Sequence, residues 1–273
     1  MTITEGDSDA RLAVTAARAG AAVVRDFYGG RLARYEKGGG DFATEADLAA
    51  ERAILDVLRA GRPEDAVTGE ESGSDGAAGA RRRWLVDPLC GTLNYAVRTM
   101  LVGVNVALRV AGEITAAATA DPFTGEVFWT DGHRARLSEG DGEAEEKLTP
   151  SAASALVDVN LDPPFPNAPG FRVPSLLADP DFTEWFRPRV ISSTLAVAWV
   201  AAGRRAAYVT DGHLAGSVHF AAGIALCQAA GCTVTGLYGE PVHTGRGGLI
   251  AAADPGTHAA LLTMVRRQTR KGI

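Results

Sequence analysis

Trp84-Leu85-Val86-Asp87-Pro88-Leu89-Cys90-Gly91-Thr92-Leu93-Asn94-Tyr95 is the stretch on which the fold turns. Its apolar opening suits a strand covered on both faces. Pro88 has no N–H to give to a central ladder, so the strand is expected to stop at Asp87 and deliver that acid to a rim. Cys90 then falls in the turn beyond, just before Gly91-Thr92. A cysteine in that place reads either as a small buried filler or as a reactive group.

Around this stretch lie 273 residues, 46% of them hydrophobic, enough for one large domain or two modest ones sharing a core. The net charge of -6 and the lack of a basic stripe argue against a nucleic-acid or acidic-membrane partner. Arg81-Arg82-Arg83 reads as a solvated strand entrance. Residues 1–9 lack the basic and apolar regions of a signal peptide, and no apolar run reaches membrane-spanning length, so a cytoplasmic protein is expected. Cys90, Cys227 and Cys232 are odd in number and show no CxxC spacing, which indicates neither a disulfide framework nor a zinc knuckle.

Apolar residues at helical spacing (Leu12, Ala16, Ala19, Val23, Phe27) predict a helix over 9–28 with Ser8 or Asp9 as N-cap. Lys37-Gly38-Gly39-Gly40-Asp41 follows, a hairpin tip or a lid. Thr44 with Asp47 three residues on predicts the start of a second helix whose face is Ala50, Ala53, Ile54, Val57 and Leu58. A short strand then opens into a loop carrying Glu70 and Glu71. Beyond the central stretch, residues 102–108, 116–120 and 127–130 read as strands joined by turns, hence an antiparallel sheet. The acidic, Gly-rich piece 138–147 suggests a boundary, dividing the chain into 1–145, with Glu70, Asp87 and Cys90, and 146–273, with His219. Pro163-Pro164 and Pro166 stiffen an irregular segment. Later, 190–192, 206–209 and 249–252 are strand-like, and helices are expected over 195–202, 221–230 and 257–267. His219 stands at the start of the second of these helices, which Gly231 closes.

Taken in chain order, Thr44 with Asp47, Gly69-Glu70-Glu71, Asp87-Pro88-Leu89-Cys90-Gly91-Thr92 and His219-Phe220-Ala221-Ala222-Gly223 resemble the inositol monophosphatase-like superfamily. Its members are magnesium-dependent, lithium-sensitive phosphomonoesterases of inositol, sugar and nucleotide phosphates. The resemblance covers nearly the whole chain. It implies a layered αβαβα sandwich, commonly a homodimer, with metals held between the two halves. By this resemblance Glu70 binds a first metal and, with Thr92, orients the attacking water. Asp87 bridges two metals, and the carbonyl of Leu89 adds a ligand. Asp211 falls loosely where the family places a substrate-binding acid, and Gly91 with Thr92 lies beside the substrate.

Two positions depart from the pattern. The family has an aspartate where this chain has Cys90, and a Trp-Asp pair where it has Val218-His219. Both aspartates serve the second metal, which stabilises the leaving oxygen. Two ligands of one metal lie roughly 3–4 Å apart, so the fold is expected to bring Cys90 and His219 together, within reach of Asp87. Converging amides of the Cys90-Gly91-Thr92 turn would favour a thiolate there. Three readings stay open: new Cys/His or softer-metal chemistry on a small-molecule ligand, a weakened one-magnesium phosphatase, and a non-catalytic binding protein. The cofactor is accordingly one magnesium ion, a softer divalent metal, or none.

Overall fold

The computed structural model describes residues 5–38, 41–140, 145–163, 165–214, 216–242 and 247–270. Gly39, Gly40 and Pro164 lie outside them. The chain opens with α1 (Glu5–Phe27), earlier than its apolar spacing suggested, followed by a hairpin of β1 (Arg34–Gly38) and β2 (Asp41–Thr44). Helix α2 (Glu45–Gly61) starts at a capping box: Ala46 N donates to Thr44 Oγ1 at 3.2 Å, and Thr44 N donates to Asp47 Oδ2 at 2.8 Å.

A first sheet follows from β3 (Ala66–Gly69), β4 (Gly73–Asp75) and β5 (Arg82–Cys90), then a short α3 (Thr92–Ala96). It is completed by β6 (Gly103–Val110), β7 (Glu113–Ala120), β8 (Glu126–Thr130), β9 (Ala135–Glu139) and β10 (Glu145–Lys147). These eight strands lie in the order β10-β9-β8-β7-β6-β5-β3-β4. From β5 to β10 neighbours are antiparallel, as the turn-linked strands suggested, while β3 runs parallel to β5. The acidic piece around 138–147 is not only a loop, since part of it forms the last two strands of this sheet.

The second sheet takes β11 (Leu156–Asn160), β12 (Arg187–Val190), β13 (Ala207–Thr210), β14 (Thr233–Thr235) and β15 (Leu249–Ala252) in the order β12-β11-β13-β15-β14. Interleaved are α4 (Pro174–Leu177), α5 (Pro180–Trp185), α6 (Leu195–Ala201), α7 (Ala221–Ala230) and α8 (Pro255–Arg270).

Side-chain alternation on β5 shows how the layers stack. Trp84 and Val86 enter the core under α1 and α2, with Ala16, Ile54 and Val104. Leu85 faces the other way, joining Ala107 and Ala117 against Val218, Ala221, Ala222 and Ala225 around α7. On the far side of α6 and α7 comes the second sheet, and α4, α5 and α8 cover its outer face through Phe182, Leu176 and Leu261. The result is the αβαβα sandwich. Small residues set its middle spacing: a Cβ on Gly223 would lie 2.8 Å from Val197 Cβ. Among the described residues no helix is long and apolar enough to cross a membrane.

One expectation about β5 is corrected. The strand does not stop at Asp87 but continues through Pro88 to Cys90. Its ladder pairs Asp87 with Asn105 and Cys90 with Gly103, with an irregularity between them. Three steps on β5 match two on β6, so Pro88, with no N–H to pair, sits in a bulge.

Gly91 then turns the chain out of the strand at φ 104°. A Cβ there would lie 3.0 Å from Leu101 O and 3.1 Å from Ser192 O, neither of which can move cheaply. Gly91→Ala is expected to destabilise the protein by about 1–3 kcal/mol. Urea denaturation should show a lower midpoint with an unchanged slope, and an unshifted midpoint would refute the constraint.

Candidate functional site

Three elements converge at the C-terminal end of β5. The strand itself delivers Asp87, fully buried, and Cys90, part-buried. The loop after β3 brings Glu70, anchored where Glu70 N donates to Val86 O at 3.0 Å. His219 comes from the segment before α7, whose small residues let that helix lie close against the sheet.

The closest contact joins His219 Nδ1 to Asp87 Oδ2 at 2.8 Å, with Glu70 Oε2 3.9 Å from the same nitrogen. One donor atom each from Asp87, Cys90 and His219 all lie within 4.8 Å of one another. The juxtaposition expected from the sequence is therefore present. Asp87 Oδ1 and Glu70 Oε2 are buried without a hydrogen-bond partner.

The thiol environment differs from expectation. Cys90 Sγ takes its donors from Thr194, whose N lies at 3.2 Å and Oγ1 at 3.0 Å, and not from the turn at Gly91 and Thr92. A polar chain behind it sets the direction of these bonds. Thr119 Oγ1 donates to Asn105 Oδ1 at 2.8 Å, and Asn105 Nδ2 donates to Thr194 Oγ1 at 2.9 Å. The Thr194 hydroxyl proton is thereby left for the sulfur.

Charge is distributed unevenly across the cluster. Burial works to raise the Asp87 pKa, but His219 beside it holds the carboxyl below its ordinary value. Burial pulls His219 down, and the Asp87 carboxylate overrides this, so the imidazole is raised well above its ordinary value. Burial, followed by repulsion from Asp87, pushes Glu70 up to about 8. Burial and Asp87 also raise the Cys90 thiol, against the pull of His219 and Thr194. In this state the cluster holds an imidazolium-carboxylate pair beside a neutral thiol, not the thiolate the turn alone suggested.

Lys37 reaches the cluster from the hairpin, its Nζ 2.8 Å from Glu70 Oε1 and 2.6 Å from Glu71 Oε1. Its glycine-flanked position hinted at close approach to a ligand, but not at these partners. Thr92 Oγ1 shares its one proton between Asp47 Oδ1 at 2.9 Å and Leu89 O at 3.1 Å, which ties the α2 cap to the end of β5. Gly91 caps α3, where Tyr95 N donates to its carbonyl at 3.0 Å. Asp211, at the end of β13, binds Asn167 of the proline-rich segment and leaves its Oδ2 buried and unpartnered. Thr194 and Asn105 were not singled out from the sequence. Asn105 had a signal, being a polar residue within the alternating apolar run of β6, whereas Thr194 had none.

The family described as the inositol monophosphatase family has a model matching residues 6–270. Glucose-1-phosphate thymidylyltransferase of Streptomyces griseus is 35% identical over 216 residues, 77% of this chain and 79% of its own length. Inositol-1-monophosphatase of Caulobacter vibrioides is 32% identical over 237 residues, 85% of this chain and 90% of its own. The crystal structure of the extragenic suppressor protein SuhB from Bartonella henselae superposes with a TM-score of 0.80 at 26% identity, covering 96% of this chain and 98% of that one.

The pairing of Asp87 with His219 carries a pH dependence. Its stabilisation is fully present between about pH 3.9 and about pH 6.5, the ordinary aspartate and histidine values, and is lost as pH falls through the lowered Asp87 pKa or rises through the raised His219 pKa. The imidazole side chain is 41% exposed, which moderates its worth. Asp87→Asn should therefore cost about 1–3 kcal/mol near pH 6 and progressively less in alkaline solution. Denaturant melts over a pH series would contradict the assignment by showing a pH-independent difference.

Proposed function

The chain belongs to the inositol monophosphatase family, and we propose that it is a diverged enzyme of that family acting on a small phosphorylated, sugar- or polyol-like metabolite through Asp87, Cys90 and His219. The observation that carries this reading is the gathering of three donor atoms, one from each residue, within 4.8 Å. Two relatives named inositol-1-monophosphatase and glucose-1-phosphate thymidylyltransferase support a ring polyol or sugar phosphate as the substrate class.

A pair of magnesium ions does not fit this donor set. Magnesium wants near-octahedral oxygen, but a thiol and an imidazole stand beside Asp87. Glu70 Oε1 is engaged by Lys37, and the Leu89 carbonyl by Thr92. No step is therefore assigned to magnesium. A softer divalent cation such as zinc would fit better, and Asp87, Cys90 and His219 would hold it. When bound, such a cation supplies Lewis-acid polarisation of a phosphoryl oxygen.

The chain's own groups do the rest. Cys90 and His219 release their protons as ligands, so binding strengthens as pH rises. Glu70, with its pKa pushed up to about 8, exchanges a proton near neutrality and serves as general acid or base. Thr92 is fixed by Asp47 at the end of β5. A second reading, Cys90 as a covalent nucleophile with Asp87 as orienter and His219 as its base once the imidazolium has lost a proton, is favoured by the two Thr194 donors that converge on the sulfur.

A homodimer is also proposed. Leu93 and Val97 are each 62% exposed and Met100 57%, an apolar group on and just after α3 that a second copy would cover. Light scattering should give twice the chain mass, and Leu93→Asp with Val97→Asp should return it to one. A monomeric wild-type protein would remove this proposal.

For the chemistry, purified protein is expected to carry stoichiometric zinc or another transition metal, lost in His219→Ala. Magnesium-dependent release of phosphate from inositol or sugar phosphates should be very weak or absent. Robust, lithium-inhibited release would overturn the divergence. Under the covalent reading, iodoacetamide modifies Cys90 before Cys227 and Cys232, and Cys90→Ala abolishes turnover. Equal labelling, or an active alanine variant, excludes that reading.

A further inference from the structure

A cleft, about 260 Å³ in volume, opens where α1 hands over to the hairpin, away from the Asp87-Cys90-His219 cluster. Arg31, Arg34 and Arg98 line it, together with Gly29, Thr44 and Tyr95, and no acidic residue does. None of Glu70, Asp87, Cys90 or His219 takes part. Among the described residues, none of the three arginines is paired with a carboxylate. Arg34 lies over the Phe42 ring at 4.7 Å, and Arg98 Nη2 gives one hydrogen bond to Gly29 O at 3.0 Å. With five N–H donors on each guanidinium, most of the donor capacity stays unspent.

This arrangement is unusual on a chain of net charge -6. Three like charges around one cleft repel one another and are held together by the fold. Arg98 itself sits at φ 63°, in the left-handed region a non-glycine residue enters at a cost, and Tyr28 Oη fixes its carbonyl at 2.5 Å. Planar, multidentate donors match the oxygens of a phosphate better than those of a halide or a single carboxylate. The volume lies below the range usual for drug-sized ligands, which suits a small phosphorylated metabolite.

The cleft is also joined to the reacting cluster through its walls. Arg34 is the ladder partner of Thr44, and three residues further along the same strand stands Lys37, which holds Glu70 and Glu71. Thr44 bonds Asp47 through both N and Oγ1, at 2.8 and 2.6 Å, and Asp47 in turn accepts from Thr92.

We propose that this cleft binds a phosphate-bearing metabolite at a site separate from the Asp87-Cys90-His219 cluster, and that its occupation fixes the hairpin that holds Lys37 against Glu70 and Glu71. The proposal is independent of what Cys90 does. Bound ligand would neutralise the mutual repulsion of the arginines, and so favour the hairpin position in which Arg34 reaches the ligand and Lys37 the acids.

The test uses the full chain and inorganic phosphate as probe, with calorimetry for affinity and hydrogen exchange for the hairpin. Arg31→Gln with Arg98→Gln should weaken phosphate binding by about tenfold or more, and Lys at both positions should recover part of it. His219→Ala should retain binding at the cleft. Phosphate should slow exchange at residues 34–38 and 41–44 in the wild type but not in the glutamine variant. Because Arg31 and Arg98 are exposed, these substitutions are not expected to disturb folding, and Arg31→Gln alone serves as a milder variant. Equal affinity in wild type and glutamine variants, or binding abolished only by His219→Ala, would overturn the proposal by placing all bound phosphate at the reacting cluster. Binding without any change in hairpin exchange would overturn the coupling.

Discussion

A carboxylate with no exposed surface is the constraint on which this structure depends. Asp87 ends up inside the sandwich because β5 is covered on both faces, and an ionised acid there is costly unless something positive lies against it. His219 fills that need, and it can do so only because α7 packs tightly. Ala221, Ala222 and Ala225 meet Leu85, Ala107 and Ala117 with little side-chain bulk between helix and sheet. Larger residues at those alanines would push the helix away and carry the imidazole with it. Core packing and site electrostatics are here one problem.

Two basic groups, Lys37 and His219, stand over the three acids Glu70, Glu71 and Asp87. The acids are accordingly pushed apart in behaviour. Asp87, beside the imidazole, stays ionised, while Glu70 rises toward neutrality because burial and Asp87 outweigh its cationic neighbours. Behind them the Thr119-Asn105-Thr194 chain orders the surroundings of Cys90. Such a chain is expensive to leave half-satisfied, and here its members are bonded in sequence.

Much of this was legible before any coordinates. The helical spacing of Ile54 and Leu58, the Thr44/Asp47 cap and the alternation along β6 report local rules that tertiary structure did not override. The nearness of Cys90 and His219 to Asp87, within 4.8 Å, was expected from the order of the motifs along the chain. What escaped was whatever depends on long-range approach. Strand β11 was not recognised, since its short run from Leu156 to Asn160 carries Asp158 in its middle, and only Arg205, contacting that acid at 2.7 Å, explains how it is buried. Thr194 and Lys37 gave no sign of their partners because 104 residues separate Thr194 from Cys90 and 33 separate Lys37 from Glu70. The donors to the Cys90 sulfur come from Thr194, far along the chain, and not from its own turn, which only the folded structure brings into view.

The bulge at Pro88 does more than excuse a missing N–H. In a strictly alternating strand, residues 87 and 90 would point to opposite sides of the sheet, one toward α7 and the other toward α1 and α2. The extra residue inverts the parity, so that Cys90 pairs with Gly103 on the face where Asp87 pairs with Asn105. One inserted position thus converts two residues of odd separation into neighbours. Straightening the bulge while keeping all the residues would leave every hydrophobic contact upstream intact and turn the sulfur toward α1 and α2, whereas deleting the one extra residue would keep it opposite Gly103, so position in the layer is set here by residue count and pairing together.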